Sequence, residues 1–217
     1  MENRMRAEGG APGALGRAPW VGAGPMTPRQ RELVEVIRRD WGGGAIGLSP
    51  VDDAGRTVGP FALMVADPAV GHGLLSLLEG FTASSLTLVE RELVILIVAA
   101  ERRAAFMWHG HAPVLQAAGV SRAALDDLAS GRVPRLDAPL DALHRFVILL
   151  VRNGDADDLD FDEAVGRLGW EKVQASVWLT GTYEMFALAM RTARTPLPEG
   201  VSPDDVFVQS GDERKAQ

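Results

Sequence analysis

One stretch of the chain, residues 90–111, collects the side chains that could do acid–base chemistry. Glu92 opens a strongly apolar segment, and two histidines, His109 and His111, follow directly after Trp108. A carboxylate on an interior helix and an imidazole beside it are groups with which proteins commonly move protons near neutral pH. Glu92, His109 and His111 are therefore candidates for acid–base chemistry, and whether Glu92 meets His111 depends on how the two helices cross.

The same residues have a simpler interpretation, which the sequence leaves open. A glutamate and a histidine on neighbouring interior helices also form purely structural hydrogen bonds. A metal site is not expected, because His109 and His111 point about 200° apart on a helix. The chain also has no cysteine to complete a ligand set. We predict neither a metal nor a cofactor.

Helix signals run through most of the chain and define the elements that must position these residues. Two segments join Thr with Gln or Glu three residues later, at Thr27 and Thr87, which is typical of a capping box. Further helices are predicted to begin at Asp67, Ser121, Asp137 and Asp160. Two more are predicted from Ala104 to Ala118 and, as a long last helix, from Glu171 to Arg191. The helix that begins at Asp67 should bury its apolar face, which consists of Val70, Leu74, Leu77, Leu78 and Phe81.

Strand patterns are nearly absent, and the segment from Ser49 to Pro60 is predicted to be a loop because Pro and Gly punctuate it. The sequence therefore predicts one all-α domain of about seven or eight helices, over residues 26–198. Residues 1–25 are rich in Gly, Ala and Pro and are expected to form a flexible arm. Residues 199–217 are polar and are expected to form a flexible acidic tail.

Composition excludes several classes of function. The net charge is −7, which makes a nucleic-acid partner unexpected. There is no apolar run long enough to cross a membrane and no signal-peptide pattern, so we expect a cytoplasmic protein without a membrane partner. Because the chain contains no cysteine, disulfide and thiol chemistry are excluded.

At this point the sequence resembles a known superfamily. The string R-E-L-V-I-L-I-V-A at residues 91–99, followed by W-H-G-H-A-P-V-L-Q-A-A-G-V-S at 108–121, is similar to the carboxymuconolactone decarboxylase and alkylhydroperoxidase D proteins. The segments V-G-P-F-A-L-M-V-A-D-P at 58–68 and G-T-Y-E-M at 181–185 extend the likeness over most of the chain. The resemblance implies an alkylhydroperoxidase-D-like helical fold and a homo-oligomer, from dimer to hexamer.

Carried over residue by residue, the likeness is incomplete. The peroxidase branch has a glutamate, a C-x-x-C pair and a histidine; here Glu92 and His111 match, but Ala104 and Met107 occupy the cysteine positions. That excludes a thiol peroxidase. The decarboxylase branch commonly has Glu-Trp-x-x-His; Trp108 and His111 match, while Met107 replaces the glutamate.

The resemblance implies a cofactor-independent decarboxylase-like lyase or isomerase acting on a small acidic or lactone-like substrate. In this interpretation Glu92 orients His111, which transfers the proton. The expected substrate contacts are Trp108 or His109 to an oxygen, Arg103 or Arg102 to a carboxylate, and Met107 and Tyr183 in the same pocket.

Two alternatives remain open at this stage. One is a non-catalytic oligomeric ligand-binding protein, which the loss of the carboxylate at Met107 favours. The other is a peroxide-handling protein that does not use cysteine. A pocket lined by Glu92, Trp108 and both histidines would favour the enzyme, whereas a pocket filled by Phe106 and Met107 would favour the binding protein.

Overall fold

A computed structural model of the chain describes residues 16–17, 25–42, 49–52, 55–198, 200–202 and 207. These residues contain helices but no strand, and their only bridge between extended residues joins Val51 and Thr57. The prediction of an all-α fold is therefore confirmed. Most of the predicted arm (1–25) and tail (199–217) lies outside the described residues. The helices are α1 (Pro28–Trp41), α2 (Gly59–Ala66), α3 (Pro68–Thr82), α4 (Leu88–Glu101), α5 (Ala105–Ala117), α6 (Arg122–Ala129), α7 (Ala138–Asn153), α8 (Asp158–Leu168) and α9 (Trp170–Ala193).

Local side-chain caps explain where most of these helices begin. The Thr27 and Thr87 side chains each accept a hydrogen bond from the backbone N–H three residues later. In return, the backbone N–H of each threonine donates to the side chain of Gln30 or Glu90. Both capping boxes were predicted, and each satisfies two backbone donors that a helix start otherwise leaves free. Single side-chain caps start α3, α6 and α7 at Asp67, Ser121 and Asp137.

The structure differs from the sequence-based expectations in three places. The described residues form nine helices because α2 occupies the end of the segment predicted to be a loop; it is short and has no side-chain cap. The cap of α8 is Asp157, not Asp160, whose backbone N–H donates to the Asp157 side chain. On α3, Val70 and Leu77 are exposed although the periodicity predicted them to be buried.

Helix α4 is the centre of the fold. Every residue from Leu93 to Ala99 is at most 3% exposed, and the helix packs against α5, α7 and α9, with a smaller contact to α6. A helix that is apolar on all sides must be surrounded by other elements. The two buried charged groups of α4, Glu90 and Glu92, therefore lie inside the protein and need partners there. In the described part of the chain, no helix is long and apolar enough to cross a membrane.

A tight turn joins α4 to α5 and brings the two halves of the predicted pair together. Arg103 in this turn has φ +50°, the left-handed conformation that ends many helices. Glu92 lies roughly 15 Å before the turn and His111 roughly 10 Å after it, at 1.5 Å per helical residue. Because the turn folds α5 back along α4, the two side chains reach similar heights.

Candidate active site

The Glu92 carboxylate and the His111 imidazole are in direct contact. Glu92 Oε2 lies 2.7 Å from His111 Nδ1, and the two side chains are only 6% and 9% exposed. When the carboxylate is ionised and the imidazole is neutral, Nδ1–H donates to Glu92 and the other ring nitrogen, Nε2, carries no proton. No hydrogen bond among the described residues involves Nε2. The arrangement gives His111 a fixed tautomer and one free basic nitrogen.

His111 borders a cavity that is almost entirely apolar. The cavity holds about 50 Å³ accessible to the centre of a water molecule, room for a few waters or part of a small ligand. It lies between helices α1, α2, α3, α5 and α9. The lining residues are Trp41, Pro60, Phe61, Leu78, Phe106, Met107, Gly110, His111, Tyr183, Phe186 and Met190.

Tyr183 places a hydroxyl next to the histidine. Its ring centroid lies 5.6 Å from that of His111 in an edge-to-face arrangement, and Phe186 packs against its other side, also at 5.6 Å. Burial raises the pKa of the Tyr183 hydroxyl, the nearby Glu92 carboxylate raises it further, and Arg91 opposes the change only weakly. The hydroxyl therefore stays protonated at neutral and mildly alkaline pH and can act as a hydrogen-bond donor.

Trp41 also lines the cavity and carries an unpaired donor. Its indole Nε1 is buried and has no hydrogen-bond partner among the described residues, and its ring packs on Phe61 at 6.0 Å. Leaving a buried N–H unpaired costs free energy, so such groups in folded proteins commonly mark the position of a missing partner. Three of the residues that line the cavity, His111, Tyr183 and Trp41, therefore carry a polar group that could bind an oxygen-containing molecule.

Close approach of α2 to α5 closes one side of the cavity. Gly59 has φ +57°, and a Cβ there would come within 2.3 Å of the Phe106 ring. Only glycine accepts both the left-handed backbone and this contact without strain. Gly59 therefore allows Pro60 and Phe61 to line the cavity opposite His111.

The structure brings together only part of the predicted site. Met107 and Tyr183 line the His111 cavity as predicted, but Trp108 and His109 line a different hollow, between α5 and α6. The reason is helical geometry, since successive residues of α5 point about 100° apart. His109 therefore cannot act on a molecule bound beside His111, and Trp108 is instead buried with its ring 5.7 Å from that of Phe207.

The predicted carboxylate-binding arginines also lie away from the cavity. Arg102 binds Glu184 at 2.7 Å and the Val151 carbonyl at 2.6 Å, which fixes the end of α4 to α7 and α9. Arg103 lies over the Phe207 ring, with its guanidinium carbon 4.7 Å from the centroid, and lines a separate cleft. Within the part of the chain that the structure describes, no cation lines the His111 cavity itself.

Sequence reasoning missed Trp41 and the whole of α2 as parts of this site. Trp41 ends α1 and reads as an ordinary core residue, and α2 is short and lacks a side-chain cap. The signal that could have found α2 was Pro60 directly after a glycine, since proline is favoured in the first helical turn. As for metals, the described residues contain no cluster of three or more His, Asp or Glu side chains that could hold an ion.

Comparison with known families agrees with this architecture. Residues 68–142 match the sequence model of the carboxymuconolactone decarboxylase family, a segment that begins at α3 and ends early in α7 and so contains Glu92 and His111. No curated protein matches the chain significantly. Together with the all-helical fold, the match over residues 68–142 supports the carboxymuconolactone decarboxylase superfamily, whose fold is alkylhydroperoxidase-D-like.

Proposed function

We propose that this protein is a cofactor-independent enzyme that transfers a proton at a carbon atom next to a carbonyl group, in a decarboxylation or an isomerisation. The observation that carries the proposal is the buried 2.7 Å contact of Glu92 with His111 at the wall of an apolar cavity. The family match supports a function of the carboxymuconolactone decarboxylase kind in general. The roles of individual residues are the proposal of this section.

His111 is the proton-transfer group of the proposal. Its Nε2 removes a proton from the carbon next to the carbonyl, the C–H electron pair moves into the C–C bond, and the carbonyl oxygen becomes an enolate oxygen. The imidazolium formed is stabilised by Glu92 through Nδ1–H, as a carboxylate does in histidine-based catalysis generally. Return of the proton to a different carbon completes an isomerisation.

In a decarboxylation the carboxylate of the substrate leaves as carbon dioxide and its bonding electrons form the same enolate. For His111 to act as the acid its ring must begin as the imidazolium, which transfers its Nε2 proton to carbon, becomes neutral and takes its next proton from solvent. In both reactions negative charge develops on one oxygen. Tyr183 donates a hydrogen bond to that oxygen, and Trp41 Nε1–H is a second donor of the kind that stabilises an oxyanion in a dry site.

The walls of the cavity favour an uncharged, largely apolar reacting portion of the substrate. Phe61, Phe106 and Met107 supply apolar surface, and the cavity has no cation. An unpaired carboxylate placed there would lose its hydration without gaining a counter-ion. A lactone or ketone fits the cavity better than a free acid group.

The experiment that tests the function is proton exchange in deuterated buffer, followed by NMR over a panel of small lactones and 3-keto acids. The wild type should accelerate exchange or decarboxylation, and His111→Gln should lower the rate by about 10²–10⁴-fold. Glu92→Gln should lower it as well. His109→Gln is the matched control, since this histidine faces another hollow and its loss should leave the rate unchanged.

A non-catalytic binding function is supported by one specific observation. Phe106 and Met107 do line the cavity, whereas Glu92, Trp108 and His109 do not, which is the lining expected of the binding protein. Met107 also stands where the decarboxylase branch has a carboxylate. If ligands from the panel bind the wild type and His111→Gln equally and none is turned over, the protein is a binding member of the family. Turnover of a peroxide in the same assays would instead favour a cysteine-independent peroxide function.

A further inference from the structure

A second hollow lies directly beside the His111 cavity and is lined by arginines. It holds about 170 Å³, and Phe106 and Met190 line both spaces, so these two side chains separate them. Arg103, Arg191 and Arg194 contribute three positive charges to its wall. Among the described residues no carboxylate lines this hollow, which we call the arginine cleft.

The three arginines have no ionic partner among the described residues. Twelve ion pairs join other side chains of that part of the chain, and none of them involves Arg103, Arg191 or Arg194. The chain has more acids than bases, with a net charge of −7, so unpaired arginines in one place are unexpected. Like charges held close together repel each other unless an anion binds between them.

The backbone at two of these arginines adds an independent observation. The same pair of hydrogen bonds ends four helices, α4, α5, α6 and α9. In each, two successive backbone N–H groups after the helix donate to carbonyl oxygens of its last turns. This Schellman motif places the residue after the helix in the left-handed conformation and favours glycine. Helices α5 and α6 have Gly119 and Gly131 at that position, whereas α4 and α9 have Arg103 and Arg194, with φ +50° and +51°.

Arg103 and Arg194 are the only non-glycine residues with positive φ in the described ranges, and both line the arginine cleft. A left-handed arginine is strained where glycine would not be. An arginine near a helix end also interacts favourably with the helix dipole, but that does not require two strained positions to meet in one cleft. Strained residues cluster where a ligand is bound.

One residue that lines the cleft, Thr195, has a buried hydroxyl. Its oxygen has no hydrogen-bond partner among the described residues. Arg103 is held by its position over the Phe207 ring, so its planar guanidinium is already oriented. A hydroxyl beside oriented guanidinium groups suits the oxygens of a carboxylate.

From these observations we infer that the arginine cleft binds the anionic group of an organic acid, whose apolar portion passes Phe106 and Met190 into the His111 cavity. The claim that this ligand is the substrate rests on the proposed function. The claim that the cleft binds an anion does not depend on that function. It also explains how an acidic substrate could use a cavity that has no cation of its own.

The test is calorimetric binding of two probes of the same shape, 3-phenylpropionate and its uncharged amide, to the full chain at low and at physiological ionic strength. The wild type should bind the carboxylate at least about tenfold more tightly than the amide, and added salt should reduce the difference. Arg191→Gln and Arg194→Gly should each weaken carboxylate binding about tenfold and leave amide binding unchanged.

Arg135→Gln is the matched control, because Arg135 is exposed, lies outside the cleft, and its loss changes the net charge equally. Arg194→Gly places glycine where the backbone favours it, so its thermal unfolding should stay close to the wild type and loss of binding cannot be attributed to misfolding. Equal affinity for the two probes, or arginine variants that behave like Arg135→Gln, would overturn the inference.

Two further arms separate the possible outcomes. Acetate should bind much more weakly than 3-phenylpropionate, because it cannot reach the apolar cavity; equal binding would show a site for free small anions and overturn the link to the cavity. His111→Gln should retain carboxylate binding while losing proton exchange. Arginine-dependent binding without any proton exchange in the wild type would contradict the proposed function and leave the anion site standing.

Discussion

Glu92 and His111 are 19 residues apart in the chain, yet Glu92 Oε2 and His111 Nδ1 lie 2.7 Å apart inside the protein. The contact satisfies a carboxylate on the most buried helix of the fold and sets which ring nitrogen of His111 carries the proton. It also leaves Nε2 of His111 without a hydrogen-bond partner among the described residues. Each of these consequences can be measured.

Glu92→Gln should release the tautomer of His111. In the wild type, nitrogen-15 NMR should show Nδ1 protonated and Nε2 bare, because an ionised carboxylate only accepts hydrogen bonds. A glutamine amide can both donate and accept, so the variant should show a mixture of the two tautomers. His109, which has no such partner, is the internal control, and an unchanged His111 spectrum in the variant would contradict the proposed orienting role.

Tyr183→Phe should slow the proposed reaction without weakening binding of a neutral ligand. The raised pKa keeps the hydroxyl protonated, so we expect it to stabilise the developing oxyanion, and loss of one such donor typically costs about 10²–10³ in kcat. The phenyl ring should keep its packing on His111 and Phe186. Any alkaline decline of the rate should appear at the same pH in both proteins, and a shift of that decline would show that Tyr183 itself titrates.

Lys172→Met should destabilise the fold by about 1–3 kcal/mol, because it leaves the buried Glu90 carboxylate without its cation. Burial alone would raise the pKa of Glu90, but the Lys172 ammonium at 2.6 Å and the Thr87 N–H hold it below its ordinary value of 4.5. The stabilisation is therefore complete above that value and is lost as the pH falls through the lower, folded-state pKa. Urea denaturation at neutral and acidic pH measures this, and the deficit of Lys172→Met relative to wild type should shrink in acid. Arg135→Met, at an exposed site, is the control and should change little.

His144→Leu should flatten the dependence of stability on pH in mild acid. Burial is the main cause that lowers the pKa of His144, Arg152 adds to it, and Asp141 and Glu101 oppose it. Its Nδ1 is also buried without a partner. Because the folded-state pKa lies below the ordinary 6.5, protonation of the unfolded chain removes stability as the pH falls below 6.5.

The leucine variant cannot take up that proton, so it should gain stability relative to the wild type below pH 6.5 and differ by less than about 1.5 kcal/mol above it. Denaturation curves across this range measure the effect. His72→Gln, which replaces an exposed histidine, should keep the wild-type slope. A leucine variant with that same slope would contradict the assignment to His144.

Helix α9 carries an exposed apolar stripe that we propose as the contact with a second copy of the chain. Trp178, Met185 and Leu188 are 65%, 41% and 69% exposed, and with Gly181 they recur every three or four residues along one face. Exposed apolar patches of this kind commonly mark association surfaces. A double change, Trp178→Glu with Leu188→Glu, should convert an oligomer into monomers in light scattering, whereas Leu159→Glu on α8 should not. A monomeric wild type would contradict the proposal.

The fold could be predicted from local signals to a large extent. Caps at Thr27 and Thr87 and the apolar run on α4 each depend on residues a few positions apart, so the sequence predicts them directly. Helix α2 has no side-chain cap, so its only local signal was Pro60 after Gly59, and its burial comes from packing on α3, α9 and α1. The outward position of Val70 and Leu77 on α3 has the same origin, because periodicity does not say which face meets the core.

What the sequence by itself determined is the kind of chemistry available: a glutamate and a histidine for proton transfer, one tyrosine, and no thiol. The tertiary structure alone decided which groups share a space. It placed His111 with Tyr183 and Trp41, turned His109 away, and brought Arg103 together with Arg194 from the ends of two helices. The physical reason is range: caps and helix periods act over one or two turns, whereas a cavity is formed by the packing of faces that the chain joins only through many intervening residues.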